Sequence, residues 1–192
     1  EFEKNPRKDL YLSLAVRTRM GGAIGDTVTA LFMDKTDRPT EKTMILEESK
    51  GKKVIFGNLP PFYLTYGADT LRDGIGYFTF SAFFDPVTLM PAFGNAMQSF
   101  MQAPGIIIDV RGNPGGIAGM GMGLAGWFVE EKNVAMGTIR TRSDTLKLVI
   151  NPRARIYRGP VAILVDGLSG SSSEILAGGV QGLPRVRIFG SR

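Results

Sequence analysis

Two short stretches of this chain are apolar almost from end to end, GIIIDV at 105–110 and GPVAILVD at 159–166. A strand that alternates apolar and polar residues can leave one face in water. A strand with no polar face has to be covered on both sides, which is the situation of a parallel sheet with helices on each face. Each stretch runs into a turn rich in glycine or serine and then into a helical segment, IAGMGMGLAGWFVEE (117–131) and SSSEILAGGVQG (171–182). Strand, turn and helix in succession specify an α/β domain with a largely parallel sheet and flanking helices.

The neighbouring segments fit that frame. GYFTFSAFF (76–84) reads as a strand, and Leu89 to Ala103 as an amphipathic helix carrying Phe93, Met97 and Phe100 at near-helical spacing. VAMGTIRTR (134–142) and TLKLVI (145–150) read as a hairpin around Ser143-Asp144, and VRIFG (186–190) as a last strand. Upstream, residues 5–20 place Leu10, Leu14 and Ala15 on one helical face, with Asn5 as N-cap, Pro6 at the first helical position and Gly21-Gly22 as the stop. DTVTALFMD (26–34) and TEKTMILEE (40–48) are two strands around the polar turn 34–39. A helix and two strands with no matching beginning read as the tail of an upstream module over 1–48. Residues 49–72 hold a basic patch, a Pro-Pro pair and little periodicity, and read as a linker into the main domain at 73–192.

Composition narrows the chemistry. The 192 residues include no cysteine and no histidine. Disulfides, thiol catalysis, Cys or His metal sites and any Ser-His-Asp device made from this chain are therefore excluded. A serine nucleophile here needs a base other than imidazole. Hydrophobic residues make up 43% and charged residues 21%, within the range of globular domains. A chain of this length buries roughly 70% of its unfolded surface, so its core needs no staples. No apolar run reaches the ~18–20 residues that span a bilayer, so no stable membrane insertion is expected. The opening EFEKNPRKDL has no initiator Met and no signal-peptide core, and the chain reads as a fragment. Its net charge of +5 is concentrated late, in Arg140, Arg142, Lys147, Arg153, Arg155 and Arg158. Without an aromatic stacking series or a recognised motif, that excess reads as solvated surface and not as a nucleic-acid interface.

Ligand sites in open α/β sheets form at the carboxyl ends of strands. Two such ends stand out. In IIIDVRGNPGG (106–116) a buried strand runs through Asp109 and Arg111 into Gly112, Asn113, Pro114, Gly115 and Gly116. Paired glycines turn tightly and free backbone N–H groups at a helix start, which can hold a phosphate or an oxyanion or can simply make a turn. The stretch is neither a P-loop nor a dinucleotide fingerprint. In LVDGLSGSSSEI (164–175) four serines, Ser169, Ser171, Ser172 and Ser173, crowd the strand-to-helix junction. Serines cap helices, but one at this junction can also be a nucleophile. Glu174, in the first helical turn, is a favourable capping charge in any case. Met90, Met97, Met101, Met120, Met122 and Met136 read as core filler or as an adaptable groove, Phe83 and Phe84 as core or pocket lining, and Trp127 as packing.

The pairing of DVRGNPGG (109–116) with SGSSSEILAGGVQ (169–181), behind GIGYFTFSAFF (74–84), resembles the S41 family of C-terminal processing, or tail-specific, serine peptidases. Their pattern is an apolar strand ending in Asp-Leu-Arg-x-Asn-x-Gly-Gly, followed downstream by Ser-Ala-Ser-Ala-Ser-Glu-Ile. The resemblance covers residues 54–192. Residues 1–48 resemble, more weakly, the end of the PDZ-like module these enzymes carry.

The resemblance implies a ClpP/crotonase-like core and a serine endopeptidase working through an acyl-enzyme. Ser171 would be the nucleophile. Ser172 N–H, with that of Gly115 or Gly116, would form the oxyanion hole, and Glu174 matches the family's glutamate. No cofactor or metal is implied. The partner would be a peptide or unfolded protein C-terminus, added to a sheet edge, with no nucleic acid and with a homo-oligomer left open. Periplasmic or other extracytoplasmic location follows from the family alone. Its base is a lysine of lowered pKa about 25 residues past the nucleophile, which falls beyond Arg192. Lys132 and Lys147 match no motif, and Gly182 stands where the family often has aspartate. Two other readings remain open: an inactive peptide- or ligand-binding relative, and a phosphate or nucleotide binder at Gly115-Gly116.

Overall fold

The computed structural model describes residues 8–58 and 61–191. The chain divides into two compact units, residues 1–50 and residues 51–192.

The first unit holds α1 (Lys8–Arg19) and an antiparallel pair, β1 (Thr27–Met33) and β2 (Pro39–Ile45). Its turn is closed by Asp34, which accepts hydrogen bonds from the Thr36 hydroxyl, the Thr36 N–H and the Arg38 N–H. Those donors, the Thr36 hydroxyl first, hold the Asp34 carboxyl below the usual range. The expected cap Asn5 and Pro6 lie outside the described residues. Leu14, read with Leu10 and Ala15 on one helical face, is 47% exposed.

The second unit is built on a five-stranded sheet. β6 (Gly76–Phe80), β7 (Ile106–Asp109), β10 (Val161–Val165) and β11 (Val186–Gly190) run parallel, and β5 (Tyr66–Thr70) adds antiparallel to β6. The order across the sheet is β11-β10-β7-β6-β5. β7 and β10, the two apolar runs, lie side by side near its middle, with Leu164 opposite Asp109. α2 (Pro86–Ser99), α3 (Ala118–Ala125) and α4 (Ser172–Val180) complete the α/β arrangement. The core contains Phe78, Phe83, Phe93, Ile108, Leu124 and Ile163, all at most 1% exposed.

Several segments differ from the expected ones, and β6 ends at Phe80, four residues short of the strand expected over 76–84. Residues 49–72, read as a linker, contain β3 (Lys52–Val54), β4 (Phe62–Leu64) and β5. β3 and β4 pair with each other over three residues each, too few for periodicity to show. α2 starts three residues early, because Pro86 sits at its first position behind Asp85 in a left-handed conformation. α3 ends at Ala125, although the apolar run continues to Val129. The Gly126 and Trp127 carbonyls accept hydrogen bonds from Arg153 and Tyr157 N–H, each 2.8 Å, so these two carbonyls serve the neighbouring segment instead of a further helical turn. Trp127, Phe128 and Val129 are buried in that turn as packing residues. β8 (Val134–Arg140) and β9 (Thr145–Ile150) form the expected hairpin, with a bulge between Ala135 and Gly137.

Candidate active site

Because β7 and β10 are parallel neighbours, their outgoing loops, 110–117 and 166–171, emerge together at the carboxyl edge of the sheet. Hydrogen bonds sew one loop to the other. Asp166 Oδ1 accepts the Gly112 N–H at 2.9 Å and the Leu168 N–H at 3.0 Å. The Ser169 hydroxyl donates to Val110 O at 2.7 Å. Asn113, fully buried, donates from Nδ2 to Phe80 O and accepts the Gly115 N–H on Oδ1, both at 2.9 Å. Its backbone carbonyl accepts from Gly170 N–H at 3.0 Å and from the Ser173 hydroxyl at 2.9 Å. The Ser172 hydroxyl donates to Gly116 O at 2.8 Å.

These contacts sort the four serines. Ser169, Ser172 and Ser173 use their hydroxyls to hold the loops, and Ser172 and Ser173 are at most 1% exposed. Ser171 is the exposed member of the run. Its backbone lies at φ 50°, ψ −112°, a conformation that costs a non-glycine residue of order 1–3 kcal/mol. Such strain persists only where the surroundings enforce it. Here Glu174 accepts the Ser171 N–H at 2.6 Å from the first turn of α4. Gly115 presses on the other side at φ +97°, and a Cβ built there would lie 2.7 Å from both Ser171 Cβ and Ser172 N.

The two glycines differ in what their N–H groups do. Gly115 N–H is taken by Asn113 Oδ1. Gly116, at φ +143°, and Ser172, at the start of α4, have no acceptor for their N–H groups among the described residues. Ser171, Ser172, Glu174, Gly115 and Gly116 are thus drawn together around one turn. A shallow hollow of about 420 Å³ opens beside it, lined by Ser171, Glu174, Met136, Ile139, Ile175 and Gly179 among others. A second, of about 330 Å³, lies on the Asp166, Ser169 and Glu174 side. No lysine lines either hollow among the described residues, so neither Lys132 nor Lys147 borders Ser171 there. Asn113 was visible in the sequence as a turn residue only. Its partner Phe80 is 33 residues away, a contact no local pattern discloses.

At the foot of the glycine loop, Asp109 accepts hydrogen bonds from Tyr77 OH at 2.8 Å and from Arg111 N–H at 3.0 Å. The Arg111 guanidinium adds bonds at 2.9 and 2.6 Å. Burial pushes the Asp109 carboxyl up, but the Arg111 and Tyr77 bonds together outweigh it and hold the group below its ordinary value. Burial and the same carboxylate push the Tyr77 phenol up. A carboxyl depressed by folding adds stability above its unfolded pKa and loses it as pH falls through the lower folded value. Asp109→Asn is therefore expected to cost about 2 kcal/mol at neutral pH, narrowing as the solution is acidified below about pH 4. Urea unfolding at pH 7 and pH 3 reads this directly, and a gap of equal size at both would contradict it.

The family model described as peptidase family S41 matches residues 74–192. The chain is 32% identical over 90 residues to the carboxyl-terminal-processing protease of Synechocystis, covering 47% of this chain and 21% of that protein. It is 30% identical over 100 residues to the nisin-resistance protein of Lactococcus lactis, covering 45% and 31% respectively. The solved photosystem II D1 C-terminal processing protease shares the fold at a TM-score of 0.56 and 18% identity, covering 92% of this chain and 46% of that one. The chain thus spans less than half the length of each of these proteins.

Proposed function

As this chain belongs to peptidase family S41, we propose that the protein to which it contributes is a serine endopeptidase that cuts polypeptides near an unstructured C-terminus, with Ser171 as nucleophile. The observation that carries the reading is the sorting of the serines. Three are committed to holding the loops, and Ser171 is left exposed on a strained turn beside two N–H groups with no acceptor among the described residues. In the proposed reaction Ser171 Oγ attacks the scissile carbonyl carbon and its proton passes to a base. The negative charge that develops on the carbonyl oxygen is taken by the Ser172 and Gly116 N–H groups, at the favourable end of α4. Collapse of the intermediate, with the base returning its proton to the departing amine, releases the C-terminal product and leaves an acyl-enzyme, which water hydrolyses. Gly115 contributes by its lack of a side chain, since its N–H is engaged by Asn113. Glu174 acts through the Ser171 backbone, fixing the turn.

The base is proposed to be a lysine from the segment following Arg192, as the family resemblance implies. A neutral amine suits a site with no imidazole. Residues 1–48 are proposed to be the end of a PDZ-like module that engages the substrate tail, and the place of action to be extracytoplasmic. No helix among the described residues is long and apolar enough to cross a membrane. The test is to incubate the whole protein with an unstructured polypeptide and map the products by mass spectrometry. Internal cleavage near the C-terminus is expected. A polypeptide that binds and stays intact would replace this reading with that of a non-hydrolysing relative.

A further inference from the structure

After β6 the chain passes the glycine turn as Ser81–Asp85, bridged to it by Phe83 N–H on Gly115 O at 2.8 Å and Ile117 N–H on Phe83 O at 2.7 Å. Phe83 turns into the core and is fully buried. Phe84 is half-buried and lies over Gly116, where an added Cβ would be 3.0 Å from its Cε2. Gly116 is the proposed oxyanion donor, and its neighbour Gly115 packs on Ser171 Cβ. The ring edge therefore stands one residue from the catalytic turn.

Phe84 is braced from behind. Phe62 of β4 stacks on it at 4.8 Å between centroids and Phe56 at 5.0 Å, both tilted. Phe56 is 48% exposed. The β3–β4 hairpin that carries these rings is tied to the same turn by charge. Lys52 Nζ is 2.6 Å from the Asp85 carboxylate and 2.8 Å from Thr88 Oγ1. Asp85 itself is held at φ 52°. An ion pair, a left-handed residue and ring packing converge to keep three aromatic side chains together beside the turn and only partly covered.

We propose that Phe84, braced by Phe56 and Phe62, is a specificity-determining residue that selects a bulky apolar substrate residue next to the scissile bond. This rests on the reading of Ser171 and its oxyanion donors. A substrate whose carbonyl oxygen lies on the Gly116 and Ser172 N–H groups must pass one flanking side chain over Gly116, and there it meets the Phe84 ring. An apolar side chain is desolvated against that wall at a gain, and a charged one at a cost.

The test uses the whole protein and one peptide series with Ala, Leu, Phe or Asp in turn at each position flanking the cleaved bond. Wild type is expected to favour Leu and Phe over Ala by about 10-fold or more in kcat/KM at one of those positions, with Asp poorest. In Phe84→Ala that ratio falls about 10-fold. Phe56→Ala lowers it in the same direction by less, and Val87→Ala, at an 83% exposed position, leaves it in place. Binding of the same peptides to Ser171→Ala, with and without Phe84→Ala, reads selectivity without turnover. A loss of selectivity there supports the wall even if Ser171 proves not to be the nucleophile. A selectivity ratio unchanged by Phe84→Ala in both cleavage and binding overturns the proposal, as does a uniform loss across the series.

Discussion

Ser171→Ala is expected to lower peptide cleavage by at least about 10³-fold, toward the 10⁶-fold seen when a serine nucleophile is removed from a comparable acyl-transfer site. The protein should otherwise change little. Alanine keeps the backbone N–H that Glu174 accepts, so the turn remains capped from that side. The side chain lost is an exposed one, and loss of a capping serine typically costs about 1 kcal/mol. Peptide affinity should persist, because the oxyanion donors and the neighbouring hollow do not depend on the hydroxyl. Cleavage by the variant at the wild-type rate would remove Ser171 from the chemistry altogether. Equal treatment of Ser172 and Ser173 separates the roles: their hydroxyls bond Gly116 O and Asn113 O, so their replacement should cost stability first and activity through it.

Gly115→Ala is expected to be nearly as damaging by a different route. The residue sits at φ +97°, which strains any side chain. Its new Cβ would lie 2.6 Å from Gly170 O and 2.7 Å from Ser171 Cβ and Ser172 N, distances that real contacts do not tolerate. Two of those three neighbours are backbone atoms of the 170–172 turn, so the turn has to move. A shift of about 1 Å at a reacting group can cost 10²-fold in rate, and the strain adds about 2–4 kcal/mol of destabilisation. The control is Gly167→Ala in the facing 166–171 loop. That glycine has no positive φ and open space around its Cα, so alanine there should be accepted with near wild-type activity and melting temperature. Equal tolerance of both substitutions would mean that Gly115 does not set the geometry of the turn.

The parts of the molecule legible in sequence were those where one physical signal dominates. GIIIDV and GPVAILVD could hardly be anything but doubly covered strands, and they are the neighbours β7 and β10. Their glycine and serine turns marked the loops, and the loops meet for the simple reason that the strands are parallel. Weaker signals failed. β3 and β4 are three residues long, and β5 is an edge strand with one half-buried residue among exposed ones, so none carries a period-2 pattern. Continuous hydrophobicity extended α3 on paper to residue 131, whereas in space Trp127–Val129 are buried in a turn whose carbonyls serve Arg153 and Tyr157. Within the site, the residue types were readable but the division of labour was not. Four serines in five positions look alike in sequence, and only their partners, Val110 O, Gly116 O and Asn113 O, distinguish the three that hold the loops from the exposed Ser171. Likewise Gly115 and Gly116 were interchangeable as donors until Asn113 claimed one N–H.

Ser171 caps α4, and the reading proposed above makes it a nucleophile as well. That central claim is tested most directly by treating the whole protein with a fluorophosphonate, which phosphonylates an activated serine hydroxyl with loss of fluoride, and locating the adduct by peptide mass spectrometry. One adduct per chain is expected, on Ser171, absent from Ser171→Ala and formed at least about 10²-fold more slowly in Gly115→Ala. An adduct on Ser169, Ser172 or Ser173, or labelling that survives Ser171→Ala, would contradict the claim.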